Sequence, residues 1–214
     1  NFAKIAGIPN FRRQYMMKKF TFILSVMLAT AFAVSAQGIA VGEKLENFSL
    51  PNTEGVAKTF SDMKGKNGAV IMFVSSQCPV VKDYNERMNQ IAADYGAKGI
   101  AFIAINSNVG EIDQATGKPV DWVAKHISAT YQFPVLMDKG NVFADRVGAT
   151  VTPEAYFVDA EGKLLYHGAI DNDKKALNIT DTYLRTAFDS ALAGKPIAKT
   201  RAAAFGCSVK RATK

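Results

Sequence analysis

Residues that commonly hold metal ions are scarce in this chain. Its 214 residues include two cysteines, Cys78 and Cys207, and two histidines, His126 and His167. His126 follows Trp122 by four residues and is interpreted as a helix-edge residue, whereas His167 ends a predicted strand. The chain also lacks a glycine-rich dinucleotide fingerprint. The sequence therefore predicts neither a metal site nor an organic cofactor.

Repeats, low-complexity tracts and long linkers are also missing. Residues 37–214 are therefore expected to form one domain that ends in a C-terminal tail, and about 178 residues suffice for one hydrophobic core. The polar stretch 106–119 carries acidic side chains at Glu111 and Asp113, but without the spacing of a calcium loop. No calcium site is predicted there.

A strong charge of one sign is absent once the N-terminal segment is set aside. The whole chain has 26 basic and 19 acidic residues, a net charge of +7. Five of the basic residues and none of the acidic ones lie in residues 1–36. Residues 37–214 therefore carry 21 minus 19, or +2. This balance gives no support to nucleic-acid binding.

The N-terminal segment has the pattern of a secretory signal peptide. Met16–Lys19 is a basic start, Phe20–Val34 is an apolar run, and small residues precede an expected cleavage after Ala36. The run has fifteen residues, fewer than the roughly 20 of a spanning helix; an uncleaved anchor is the alternative. Residues 1–15 are interpreted as preceding the true start. We expect an exported, periplasmic protein that is free of the membrane after cleavage.

The apolar pattern of the remaining chain predicts alternating strands and helices. Strands are expected at residues 68–74, 100–105, 135–137, 155–158 and 163–167, and helices after Cys78 and at about 120–131, 142–147 and 180–193. The turn-rich spacer 51–55 predicts an N-terminal β-hairpin. This order indicates an α/β fold with a mixed central sheet that helices cover on both faces.

Cys78 lies at the most informative junction of the chain. Apolar residues 69–74 predict a buried strand, Ser75–Gln77 form a polar turn, and Cys78 opens an amphipathic helix. Unpaired amides and the positive dipole at a helix N-terminus favour a thiolate, the nucleophilic form of cysteine. The alternatives are a structural disulfide with Cys207 and a buried, inert thiol.

The order of elements, with Cys78-Pro79 at a helix start and Thr152-Pro153 before a strand, resembles the thioredoxin fold. Within that fold the chain is most similar to the peroxiredoxin-like, AhpC/TSA-type proteins. Four segments carry the resemblance: Gln77–Val81, Val147–Glu154, Tyr166–Asp171 and Gly206–Lys210. The resemblance implies a cis-proline at Pro153 beside the active cysteine.

The resemblance implies thiol chemistry at the two cysteines. Cys78 would attack a hydroperoxide oxygen or a disulfide sulfur, giving a sulfenic acid or a mixed disulfide. Cys207, 129 residues later in the tail, is the candidate resolving cysteine. An intermolecular disulfide or an unpaired tail cysteine are the alternatives. Reducing equivalents would come from another thiol protein.

Other residues are expected to shape the substrate groove. Pro79, Thr152 and Pro153 would line it, and the Thr152 backbone would pair with an incoming chain as an added strand. Ser75 would donate a hydrogen bond to the thiolate or to a bound peroxide, or would serve only as a turn residue. Arg146 is interpreted as a solvated helix residue rather than a cation beside the thiolate.

Two departures from the family patterns bear on the activity. Val81 stands where thioredoxins have the second cysteine of Cys-x-x-Cys, and Ile71 replaces the proline of the peroxiredoxin motif. The predicted function is therefore reduction of hydroperoxides or exchange of disulfides, and two other functions are kept as alternatives. One is a periplasmic thiol–disulfide oxidoreductase that acts on exported proteins, and the other is a non-catalytic interaction domain.

Overall fold

The computed structural model describes residues 38–212 and builds them around a mixed β-sheet. The strands are β1 (Ser49–Pro51), β2 (Ala57–Thr59), β3 (Ala69–Val74), β4 (Ala101–Asn106), β5 (Val135–Met137), β6 (Val151–Thr152), β7 (Glu154–Val158), β8 (Leu164–Gly168), β9 (Arg201–Ala202) and β10 (Cys207–Ser208). The predicted signal peptide and its cleavage site lie outside the described residues. Within 38–212, no helix combines the length and apolar character that crossing a membrane requires.

Six of the strands form the central sheet, in the order β5-β4-β3-β7-β8-β9. Strands β3, β4 and β5 are mutually parallel, β7 runs antiparallel to both of its neighbours, and β9 is parallel to β8. Strands β1 and β2 form the predicted N-terminal hairpin as a separate pair. The mixed sheet that the sequence predicts is confirmed.

Helices cover both faces of this sheet. They are α1 (Phe60–Met63), α2 (Pro79–Gly96), α3 (Asp121–Thr130), α4 (Val142–Val147) and α5 (Tyr183–Leu192). Helices α2, α3 and α5 contribute to one core cluster, together with Val70, Met72 and Val74. Helices α1 and α4 contribute to a second cluster, with Ile71 and Phe73 from the opposite face of the same strand. Alternation of side chains along β3 therefore supplies both cores.

Strand β3 and helix α2 place Cys78 at the carboxyl end of the sheet. All six residues of β3 are buried, as expected for a central strand with helices on both sides. Cys78 is the N-cap residue of α2, with extended backbone, and Pro79 follows at the first helical position. Proline is favoured there because its missing N–H has no intrahelical partner in any case. The predicted strand-to-helix junction is therefore present.

The C-terminal tail contains two short strands that periodicity does not predict. Strand β9 extends the central sheet next to β8. Strand β10 lies apart from that sheet and pairs antiparallel with β6, so that Cys207 stands opposite Thr152. The Thr152–Pro153 peptide bond is cis, as the resemblance implies. The fold thus brings the end of the chain to the loop that precedes β7.

Candidate functional site

Cys78 lies almost entirely below the surface, with 2% of its area exposed. Its thiol donates a hydrogen bond to the main-chain carbonyl of Thr152, over 3.2 Å from Sγ to O. Cys78 is the N-cap residue of α2, so its side chain lies at the helix end where backbone amides lack intrahelical partners, although its sulfur makes no capping hydrogen bond. The thiol is therefore held between a helix N-terminus and the cis-proline loop.

Cys207 meets Cys78 across this loop. Strand β10 sets Cys207 opposite Thr152, whose carbonyl accepts from the Cys78 thiol, and both cysteines line the same small cavity. Both cysteines are free thiols, and Cys207 is the more exposed of the two. The structure thus brings together four of the residues predicted for the site, namely Cys78, Thr152, Pro153 and Cys207, with Pro79 next in the chain.

The surroundings shift the pKa values of the two thiols in opposite directions. Burial opposes ionisation of Cys78, but the neighbouring Cys207 thiol and Val81 amide outweigh it and lower the pKa of Cys78. Burial and the neighbouring Cys78 thiolate raise the pKa of Cys207. Cys78 is therefore the thiol that ionises first, and Cys207 keeps its proton.

The proximity of Cys207 predicts a shift in the pH dependence of Cys78. Cys207→Ala removes the neighbouring thiol that lowers the pKa of Cys78, whereas Cys207→Ser keeps a hydroxyl donor at the same position. We expect the midpoint of the rate–pH profile for alkylation of Cys78 to rise in Cys207→Ala and to rise less in Cys207→Ser. Iodoacetamide labelling, quantified by mass spectrometry across pH, measures both midpoints. Equal midpoints in the alanine variant and the wild type would show that Cys207 does not stabilise the thiolate.

Glu111 fixes the loop that leads into Cys78. The residue is 1% exposed, and its carboxylate accepts hydrogen bonds from the amides of Ser76 (2.8 Å) and Gln77 (3.1 Å), and from the Asn106 side chain (2.6 Å). The Ser75 hydroxyl donates to the same carboxylate. A buried carboxylate of this kind is stable only because four donors surround it.

In this geometry the Ser75 hydroxyl is engaged within the turn and makes no hydrogen bond to Cys78. Its single hydroxyl proton is directed to Glu111, and its oxygen accepts from the Gln77 amide over 3.2 Å. Glu111 lies five residues beyond the carboxyl end of β4, the sheet edge where α/β folds hold their sites. That position is the only sequence signal for its role, and sequence reasoning considers Glu111 only as a calcium ligand.

Tyr131 is a second neighbour that the sequence did not reveal. Its hydroxyl is buried and has no hydrogen-bond partner within the described residues. Burial, together with the negative charges of Glu111 and Cys78, raises the pKa of this phenol. Tyr131 therefore stays protonated on the helix side of the site.

A small cavity of about 170 Å³ opens beside the two sulfurs. Its lining includes Ser75, Gln77, Asn108, Glu111, Ser208 and Lys210. The volume is below the roughly 300–1,000 Å³ of typical small-molecule sites. The cavity therefore suits a small oxidant or a single side chain rather than a large ligand.

Comparison with known proteins assigns the family. Residues 41–167, more than half of the chain, match the model of the AhpC/TSA family. This chain belongs to the AhpC/TSA family. The ResA thiol–disulfide oxidoreductase of Bacillus anthracis is 25% identical over 140 residues, which are 64% of this chain and 75% of ResA. ResA of Bacillus subtilis is 27% identical over 143 residues, 66% of this chain and 74% of ResA.

Solved structures show the same fold. A hypothetical protein from Sinorhizobium meliloti is 31% identical with a TM-score of 0.73, over 83% of this chain and 98% of that one. A putative thiol:disulfide interchange protein DsbE from Chlorobium tepidum is 26% identical with a TM-score of 0.56, over 72% of this chain and 99% of that one. The thioredoxin-like fold and a thiol-dependent redox function are thereby confirmed.

The standard hydroperoxide pocket of AhpC/TSA proteins is only partly represented. Ile71 points into the second core cluster, and Arg146 is an exposed residue of α4 whose guanidinium lies 4.9 Å from the Phe143 ring centroid. The leading causes that lower the pKa of Cys78 are neighbouring hydrogen-bond donors rather than a cation.

The remaining polar residues of interest lie outside the sulfur site. His167 pairs with buried Glu154 over 2.7 Å, and Glu154 also accepts from the amides of Thr150 and Val151. Burial opposes ionisation of Glu154, but these hydrogen bonds lower its pKa below the usual range. Glu154 thereby shapes the loop that carries Thr152. Within residues 38–212, no three potential histidine, cysteine or carboxylate ligands converge as a metal site.

Proposed function

We propose that the protein is an exported two-cysteine thiol oxidoreductase that exchanges disulfides, with Cys78 as nucleophile and Cys207 as resolving cysteine. The placement of two free thiols at the Thr152 carbonyl and along one small cavity carries the proposal. Cys207 takes the place of the second cysteine that position 81 lacks. The basic and apolar leader that ends at Ala36 supports export.

The reaction follows from the different acidities of the two thiols. The Cys78 thiolate attacks one sulfur of a substrate disulfide, and the other sulfur leaves as a thiolate. Cys207 then attacks Cys78 Sγ, releasing the second substrate thiol and transferring its own proton to it. The substrate is reduced by two electrons, and a Cys78–Cys207 disulfide forms. A partner protein with two thiols would return those electrons.

Two observations favour disulfides over hydroperoxides as substrates. The relatives that match most of this chain are named thiol–disulfide oxidoreductases, and Ser75 is committed to Glu111. Hydroperoxides are a second candidate because the 170 Å³ cavity admits a small molecule next to Cys78. In that reaction Cys78 becomes a sulfenic acid while an alcohol or water leaves, and Cys207 then displaces water to close the same disulfide.

Intact mass spectrometry of the reduced protein tests the proposal. With a small disulfide as oxidant, we expect the wild type to lose two hydrogens without retaining an adduct. Cys207→Ser is expected to stop at a stable mixed disulfide that peptide mapping places on Cys78. Parallel titration with near-stoichiometric hydrogen peroxide and a sulfenic-acid trap tests whether hydroperoxides are substrates.

The outcomes separate the candidate functions. Loss of two hydrogens with the disulfide but not with peroxide would leave disulfide exchange alone. Sulfenate on Cys78 in Cys207→Ser at low peroxide would establish the peroxidase reaction. An unchanged mass under both treatments would overturn the proposal and favour a non-catalytic interaction domain.

A further inference from the structure

The last residues that the structure describes are attached to the loop that contacts the reactive thiol. The Val209 amide donates to the Thr150 carbonyl over 2.9 Å, and the Thr152 hydroxyl lies 3.4 Å from the Cys207 carbonyl that accepts its proton. Beyond β10, the Lys210 amide donates to Asn108 over 3.0 Å. Val209 is buried. The tail is therefore seated by main-chain hydrogen bonds and by an apolar anchor.

Gly206 marks the closest approach of the tail to the cis-proline loop. A Cβ atom at this position would lie 1.9 Å from the Thr152 carbonyl oxygen and 3.3 Å from Pro153 Cδ. Since real Cβ contacts are never so short, a side chain here would force the two strands apart. The absence of a side chain at 206 lets β10 lie against β6.

Strand β6 is only two residues long, and β10 covers the edge that it offers. An exposed strand edge is the kind of surface on which an extended segment of another protein can pair. Here the chain's own tail fills that edge and places a cysteine opposite Thr152, next to Cys78. The tail thus has the form of a bound cysteine-containing peptide.

We propose that β10 is a built-in substitute for a substrate strand, which keeps extended protein segments away from Cys78 until the tail is released. This inference rests on the proposed function. Small disulfides would reach Cys78 through the cavity between Asn108, Glu111 and Lys210 without tail release. A protein disulfide would react only in the fraction of molecules whose tail is open, and its apparent rate is reduced by that fraction.

Two matched aryl disulfides test, in single-turnover reactions, whether β10 keeps extended peptides away from Cys78. One carries 5-thio-2-nitrobenzoate on N-acetylcysteine, of which only the disulfide and the adjoining methylene need to enter the 170 Å³ cavity. The other carries it on the cysteine of an extended seven-residue peptide. In both, the Cys78–sulfur bond forms as the aryl thiolate leaves, so absorbance reports the first step without any need for Cys207. The readout is the ratio of the peptide rate to the small-probe rate, because a change in Cys78 acidity affects both probes alike.

Gly206→Ala is expected to raise this ratio by about tenfold or more, by displacing β10. Val209→Asp, which puts a charge at a buried anchor, is expected to do the same. Gly96→Ala is the matched control, because no atom lies within 4 Å of the added methyl group at the end of α2. A ratio that both tail variants leave at the wild-type value would overturn the proposal.

The wild type supplies an independent measurement should either variant unfold. If release of the tail must precede attack, the peptide rate at low concentration is reduced by the open fraction, and it reaches a plateau shared by peptides of different sequence where opening becomes rate-limiting. The small probe shows neither effect over the same range. A peptide rate that equals that of the small probe and increases linearly over the whole range contradicts this order of events. The mass experiment on Cys207→Ser would still decide the proposed function separately.

Discussion

Cys78→Ser is expected to slow reaction with a small disulfide by about two orders of magnitude or more. Serine keeps the size of the side chain and its hydrogen bond to the Thr152 carbonyl, but its hydroxyl does not ionise at neutral pH. The remaining thiol, Cys207, is a poor substitute because its pKa is raised, and ordinary thiols are only a few per cent ionised at pH 7. Stopped-flow measurement with the aryl disulfide of N-acetylcysteine gives the rate.

Thermal unfolding of the same variant is the control, since Cys78→Ser should unfold near the wild-type temperature. A well-folded Cys78→Ser protein that reacts as fast as the wild type would reverse the roles of the two cysteines. The double variant, in which Cys78 and Cys207 are both replaced by serine, then gives the background reaction rate in the absence of both thiols. Its rate sets the lower limit against which both single variants are compared.

Glu111→Gln is expected to destabilise the protein by about 3 kcal/mol. The substitution replaces one of the two acceptor oxygens of a buried carboxylate with an NH₂ donor. The Ser76 and Gln77 amides, the Asn106 amide and the Ser75 hydroxyl all point at the carboxylate. The new NH₂ group would face at least one of these donors. For a domain of this size, the loss corresponds to a decrease in Tm of roughly 6–12 °C.

Circular dichroism melting of Glu111→Gln measures the decrease, with Glu161→Gln as the matched control. Glu161 is exposed at the β7–β8 turn, so its replacement removes one charge without a buried hydrogen bond. The alkylation rate of Cys78 should also fall in Glu111→Gln below its melting temperature, since the loop before the cysteine loses its fixed shape. A Tm equal to that of the control would show that the loop does not depend on Glu111.

The sheet, its helices and the position of Cys78 were predictable because they depend on local patterns. The apolar run of β3 and the spacing of Val81, Tyr84, Met88, Ile91 and Tyr95 in α2 correspond to the burial in the structure. Residues 135–137 and 142–147 also have the predicted structure. Each of these elements forms because it buries its own apolar side chains, and that burial is visible in the sequence as apolar periodicity.

The partners of the site were harder to predict because they depend on contacts between distant segments. Strand β10 has two residues, too few for any periodic signal, and its pairing is with β6 more than fifty residues earlier. Glu111 and Ser75 lie 36 residues apart and meet only because β3 and β4 are adjacent and parallel. From the sequence, the proximity of Cys78 and Cys207 is only one of several alternatives, because the tertiary fold alone determines the distance between the two cysteines.

Strand β9 has a consequence for the freedom of Cys207. Because Arg201–Ala202 belong to the central sheet, displacement of β10 leaves the tail tethered five residues before Cys207. A fully extended segment of that length spans at most about 17 Å. A freed Cys207 would therefore search a small volume at an effective concentration in the millimolar range, as is usual for short tethers. Unless an external thiol exceeds that concentration, the mixed disulfide on Cys78 would be resolved from within the same molecule.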